Sequence, residues 1–257
     1  MEGHKVPEGA RFLDLSDYGR PLAVAIARWA EPRGLSPHLF TLLQALAGFA
    51  AAVILPWATP WARVLVFLLL PLKSMLDAVD GTLARLRQRP TRTGRFLDSD
   101  LDFLVNLALF GALVPAAGVS PILALVAFGF MELQGSLYHH LYVRYRHAHG
   151  GDPSARSRED ARAFPYENAR LVALLYGVYR VFYGWQDALI RALLQRVCGP
   201  CVPDRATMTL VSALGLGFQL VAIGTLVLLG RAAWVPWLFL GPGNLVALGV
   251  LARLRRL

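Results

Sequence analysis

The chain has 257 residues, 56% of them hydrophobic and only 17% charged, with a mean hydropathy of +0.47. A soluble domain is about 45–50% apolar and about 25% charged, so the composition argues against a soluble enzyme, a disordered chain or a coiled coil. The net charge of +9 would suit nucleic acid or an anionic membrane surface, and long apolar runs, of no use to a nucleic-acid binder, select the membrane.

Residues 1–36 read as a cytoplasmic and interfacial segment. The first fifteen hold acids and a proline and no apolar core of signal-peptide length. Pro21 opens a helix on which Leu22, Ile26 and Trp29 share one face at i, i+4, i+7. That helix is expected either to lie flat on the inner leaflet or to pack on protein.

Residues 37–257 read as one all-α membrane domain. A spanning helix needs about 20 mostly apolar residues, and six runs qualify: 39–57, 61–83, 96–116, 121–143, 208–229 and 233–251. The second turns polar in its last third and the third is polar at its start. Tight joints are expected at 56–60, 115–121 and 230–231, and Trp57, Trp61, Trp234 and Trp237 fall where an interfacial aromatic belt belongs. With both termini inside, the outer joints hold only Arg63 and Arg231 of 26 Lys and Arg residues. The reverse orientation would expose Arg85, Arg87, Arg89, Arg92 and Arg95, so the positive-inside rule places both termini in the cytoplasm. Between the fourth and fifth spans, 147–205 reads as a cytoplasmic loop and an interfacial helix. The stretch 166–197 is apolar enough for a seventh crossing. Arg170, Arg180, Asp187, Arg191 and Arg196 interrupt it, and a seventh crossing would push the C-terminal arginines outside, so an interfacial or partly embedded helix is expected.

Acidic residues near membrane helices are costly and usually face the protein interior. Asp77 and Asp80 stand at i, i+3 near the inner end of the second run, and Asp98 and Asp102 at i, i+4 near the inner start of the third. Each pair shares a helix face, and two antiparallel neighbours would bring all four together. Asp100 lies about 200° around the helix from Asp98 and is left out. Four like charges in one pocket call for hard divalent cations. Oxygen-only ligands suit Mg²⁺, Mn²⁺ or Ca²⁺, and a pair of such ions is a known arrangement for stabilising attack at phosphorus. Gly81, Ala84 and Gly94 line the same faces and let a bulky group, or another helix, approach. Arg85 can reach a phosphate with a planar, always-charged fork.

Together these residues read Asp77-x2-Asp80-Gly81-x2-Ala84-Arg85-x8-Gly94-x3-Asp98-x3-Asp102. The pattern resembles the signature of the CDP-alcohol phosphotransferase (CDP-alcohol phosphatidyltransferase) family, with all eight positions at the expected spacing over about a tenth of the chain. The resemblance implies a six-helix membrane enzyme of phospholipid biosynthesis. It would move a substituted phosphate from a CDP-linked donor to an acceptor hydroxyl and release CMP. It further implies that Asp77, Asp80, Asp98 and Asp102 hold two Mg²⁺ or Mn²⁺ ions. Asp102 would also serve as general base, and Gly81, Ala84, Arg85 and Gly94 would contact the CDP group. A homodimer is expected on the same ground.

The acceptor is not named by these residues. One chemistry moves a phosphatidyl group from CDP-diacylglycerol to a small polar alcohol such as inositol phosphate, glycerol phosphate or serine, and is preferred by analogy. The other moves a phospho-headgroup from a CDP-alcohol to a lipid hydroxyl. Arg144, Arg146, Arg156, Arg158, His139 and His140 are candidates to hold an anionic headgroup, and Lys73 is placed to touch a phosphate or pair with an aspartate. A transporter would also carry intramembrane carboxylates, but repeated halves and broken helices are not evident. Membrane aromatic prenyltransferases would carry two separate aspartate motifs. Cys198-Gly-Pro-Cys201 copies a redox tetrapeptide but follows a helix rather than opening one, and reads as a turn. Glu132 and Gln134 are expected to find partners on neighbouring helices. Arg outnumbers Lys by 24 to 2, which points to a GC-rich bacterial genome and a plasma-membrane location.

Overall fold

The computed structural model describes residues 6–151 and 160–256, so the candidate headgroup residues Arg156 and Arg158 lie outside the described residues. Eleven α-helices and no strand are present among the described residues. They are α1 (Arg20–Ala30), α2 (Pro37–Ile54), α3 (Pro60–Leu86), α4 (Arg92–Ala117), α5 (Pro121–Ala148), α6 (Ala169–Tyr179), α7 (Trp185–Val197), α8 (Arg205–Ser212), α9 (Leu216–Leu228), α10 (Val235–Leu238) and α11 (Asn244–Leu254). Three long helices open on a hydroxyl residue followed by proline: Ser36-Pro37, Thr59-Pro60 and Ser120-Pro121. In each the hydroxyl accepts a backbone N–H of the first turn, and proline fills a position whose own N–H has no helical partner.

Five helical stretches are long and apolar enough to cross a bilayer: Pro37–Trp57, Arg92–Ala117, Pro121–Ala148, Arg205–Leu228 and Ala232–Leu254. They mark an integral membrane protein. The sequence predicts six such runs, and α3 is the one that falls short in apolarity. Its 27 residues extend about 40 Å at 1.5 Å per residue, and it packs against α2 on one side and α9 on the other. Lys73, Asp77, Asp80 and Arg85 are what lower its hydropathy, and Lys73 and Asp80 are buried.

Two further expectations are corrected. Pro115 does not begin a joint: it lies inside α4, which runs to Ala117 and stops where Gly118 adopts a left-handed conformation (φ 64°). The run 208–229 is not one helix but α8 and α9, broken at 213–215. The break receives the N-terminal chain, with Leu15 N–H donating to Ser212 Oγ (3.0 Å) and Gly217 N–H to Ser16 Oγ (2.9 Å). A Cβ on Gly217 would collide with the Ser16 carbonyl. Nearby, Tyr145 donates to the Ala10 carbonyl (2.7 Å) and Tyr138 to Asp14 (2.7 Å).

The last span is also interrupted. Between α10 and α11 the backbone takes a π-helical turn, Phe239–Gly243, around Pro242. Gln134 of α5 meets the disturbed ladder, donating from Nε2 to the Phe239 carbonyl (2.8 Å) and to Asn244 Oδ1 (3.0 Å). Glu132 accepts from Asn106 Nδ2 of α4 (2.9 Å). Both buried polar groups thus have partners on neighbouring helices, as predicted.

The segment 166–197 makes an excursion rather than a crossing. Glu167, just before α6, accepts from Thr93 N–H at the start of α4 (2.8 Å). α6 then follows α4, with Phe96 against Tyr176 and Tyr179. At the π turn Arg180–Gly184, Phe182 stacks on Phe103 (4.1 Å between centroids). α7 leaves along α5, where His140 meets Asp187, and finishes with Gly199 accepting from Arg144 in the last turns of α5. Both ends therefore lie at the end of the bundle where α4 begins and α5 finishes.

α1 rests on α3 through Ala23, Ala27 and Ala30, all fully buried, and leaves Leu22 and Trp29 exposed. Trp57, Trp61, Trp234 and Trp237 are exposed around the opposite end.

Candidate active site

Three helices build the site. Asp77 on α3 and Asp98 and Asp102 on α4 each offer a carboxylate oxygen, and these oxygens lie within 4.8 Å of one another. The i, i+4 spacing of Asp98 and Asp102 puts both on the α4 face that meets α3. Asp80, one turn beyond Asp77 on α3, is buried and accepts from Thr41 Oγ1 of α2 (2.7 Å). Gln44 of α2 donates to Asp98 Oδ1 (3.4 Å). Lys73, with no exposed surface, pairs through Nζ with Asp102 Oδ1 (2.5 Å). Of the two roles the sequence leaves to Lys73, the structure therefore has the aspartate partner.

Asp100 is buried but stands apart from the cluster, and among the described residues neither of its oxygens has a hydrogen-bond partner. Its exclusion by helical angle agrees with the geometry.

The glycines divide. A Cβ added to Gly81 would lie 3.4 Å from Arg85 Nη1, so the glycine and the guanidinium are immediate neighbours. Arg85 donates to Thr82 Oγ1 (3.1 Å). A Cβ on Gly94 would meet Thr91 Oγ1 at 2.7 Å and His38 Cε1 at 3.0 Å. Gly94 therefore lets the capped start of α4 close on α2. Ala84 is half-buried one turn from Asp80.

Three residues at the site were not singled out from the sequence. Thr41 and Gln44 are isolated polar residues in an otherwise apolar run, and their i, i+3 spacing is the signal that could have found them. Arg20 of α1 donates to Asp17 Oδ2 (2.7 Å) and Thr82 Oγ1 (3.0 Å), and its charge acts on Asp77. Burial alone would push the Arg20 guanidinium down, but Asp17, with Tyr142 and Asp77, together hold its pKa above the ordinary arginine value.

At 4.8 Å, two carboxylates repel by about 3.5 kcal/mol at an effective dielectric of 20. One lysine cannot offset three such pairs plus Asp80. An all-oxygen donor set of this charge fits a hard divalent cation.

Residues 35–189, more than half of the chain, match the CDP-alcohol phosphatidyltransferase family. The chain belongs to that family. Over 177 residues it is 30% identical to the archaetidylinositol phosphate synthase of Aeropyrum pernix, covering 69% of this chain and 84% of that protein. Over 159 residues it is 30% identical to the bifunctional IPC transferase and DIPP synthase of Aquifex aeolicus, covering 62% of this chain and 35% of that protein. Membership makes the chain a CDP-alcohol phosphotransferase, a membrane enzyme of phospholipid biosynthesis with a CDP-linked donor and an alcohol or lipid acceptor. The transporter and prenyltransferase readings are set aside.

Proposed function

We propose that this CDP-alcohol phosphotransferase moves a phosphatidyl group from CDP-diacylglycerol, or a CDP-linked lipid of the same kind, to a small polar acceptor, with inositol phosphate the preferred candidate. The observation that carries the reading is the convergence of Asp77, Asp98 and Asp102 beside Asp80, Arg85 and Arg20. The acceptor is chosen because one relative is named an archaetidylinositol phosphate synthase. In addition, Arg20 of α1, which donates to Thr82 of α3, and Arg146 of α5, which lies over the Tyr142 ring, would offer fixed cations to an acceptor phosphate.

Asp77, Asp80, Asp98 and Asp102 would hold two Mg²⁺ or Mn²⁺ ions, which when bound offset charge on the diphosphate and on the departing CMP. Arg85, with Gly81, Ala84 and Gly94 around it, would receive the CDP group. Thr41 and Gln44 orient the carboxylates of Asp80 and Asp98. Asp102 would take the proton of the acceptor hydroxyl as its oxygen attacks the phosphorus distal to cytidine and the bond to CMP breaks. Lys73 holds the Asp102 carboxylate in position. In this reading α3 is the sixth span, its charged residues facing protein. α1 lies at the inner leaflet with Leu22 and Trp29 toward lipid, and the site opens on the cytoplasmic face of a bacterial plasma membrane. The protein acts as a homodimer.

The test is CMP release by detergent-purified protein from a panel of CDP-lipids and CDP-alcohols, each with polar and lipid acceptors, in Mg²⁺ or Mn²⁺. Release from CDP-diacylglycerol that depends on inositol phosphate is expected. Release only from CDP-alcohols with a lipid hydroxyl would replace this reading with the second chemistry. Asp102→Asn should lower turnover by 10²-fold or more, as loss of a general base does, and unchanged turnover would remove Asp102 from the base role.

A further inference from the structure

A second cationic site lies between α5 and α7. On α5, His140, Arg144 and His147 fall at i, i+4, i+7 and form one stripe. On α7, Arg191 and Gln195 fall at i, i+4 and face it. They enclose a cleft of about 410 Å³ with Val143 and Ala192 as apolar walls. Arg146 is two residues beyond Arg144 and so points about 200° away around the same helix, stacking on Tyr142 at 5.7 Å. α5 thus carries two arginines toward two different places, and the reaction as proposed uses only the second.

The acid on its α7 side, Asp187, has both oxygens engaged, one with His140 Nε2 (3.0 Å) and one with Tyr179 Oη (2.9 Å). Arg144 is held from behind: Nη1 donates to the Gly199 carbonyl (2.8 Å), in the short loop that the Cys198–Cys201 disulfide closes. Among the described residues, every hydrogen bond of Arg144 leaves from Nη1. Nη2 and Nε keep their donors, the fork that matches phosphate. The cleft lies at the end of the α5 span, with Val143 and Ala192 as apolar walls. A fixed cationic fork between apolar walls at the end of a span fits a phosphate carried on an acyl lipid better than a bare ion.

We propose that this cleft is a second phosphate-binding site, separate from the aspartate cluster, that takes the phosphate of an anionic phospholipid. Full-length protein in detergent is titrated at constant ionic strength with phosphatidic acid, with phosphatidylcholine and with inorganic phosphate, and thermal unfolding is read. Phosphatidic acid should raise the unfolding temperature of the wild type and of Asp77→Asn alike, because the metal cluster takes no part. Arg144→Gln and Arg191→Gln should each weaken the half-saturating concentration about tenfold, the scale of one lost charged hydrogen bond. Arg191→Lys, which keeps the charge, should retain most of the response and serves as the check on folding. An equal response to inorganic phosphate, abolished by the same variants, would keep the site and make free phosphate its ligand. An equal response to phosphatidylcholine, or an unchanged midpoint in Arg144→Gln/Arg191→Gln, would overturn the proposal.

Discussion

Lys73 is fully buried and its ammonium touches the carboxylate proposed as the base. Breaking a buried ion pair by deleting one member costs about 3–5 kcal/mol, but here the orphaned Asp102 joins other carboxylates that a cation would neutralise. Lys73→Met is therefore expected to unfold at lower temperature in chelator and to reach half-saturation at lower Mn²⁺, both read in one thermal titration. Thr41→Val removes the hydroxyl that orients Asp80 and should weaken metal affinity 10–100-fold, the usual scale for a lost outer-shell partner. The four aspartates were legible in the sequence because acids at helical spacing stand out against apolar surroundings. Thr41 and Gln44 were not, because one hydroxyl and one amide barely change the pattern of a spanning run. Arg20 was hidden among juxtamembrane arginines; only the packing of α1 on α3 brings it to Thr82.

At the level of elements, interruptions matter as much as helices. The π turn before α11 depends on Gln134, and a Cβ on Gly243 would lie 2.5 Å from Gln134 Oε1. Gly243→Ala should cost about 1–3 kcal/mol as overpacking. Gln134→Leu should cost a similar amount by stripping the Phe239 carbonyl of its donor. The loss in each case is measured as resistance to denaturant in detergent. Such breaks are illegible in hydropathy, which reads 208–229 and 233–251 as unbroken because their residues are uniformly apolar. The caps follow local chemistry more openly. Asp204 caps α8, and the Thr207 hydroxyl, Arg253 and the Thr207 N–H hold its carboxyl down at about 2. The unfolded value is about 3.9. With the folded value the lower of the two, its contribution is complete above about pH 4 and is lost as pH falls toward 2. Asp204→Ala should cost about 1 kcal/mol at pH 7, and the gap to wild type should close in acid.

Across the whole molecule, the bundle gathers Asp77, Asp98 and Asp102 near one end and keeps apolar side chains toward the surround, with Leu46, Val53, Leu68, Ile122, Leu125 and Leu248 all exposed. The six-run reading anticipated five of the spans, and its shortfall in apolarity at α3 has a simple cause: a helix that carries the chemistry cannot also be the most apolar. The excursion through α6 and α7 was ambiguous in the sequence because its residues are apolar enough to cross. Contacts at its two ends, Glu167 with Thr93 and Gly199 with Arg144, decide its path. With α3 as the proposed sixth span, a segment that dives and resurfaces on its own side leaves the tally of crossings even. Reporters fused to the first and last residues should therefore light up in one and the same compartment, and a protease added to the other should reach neither.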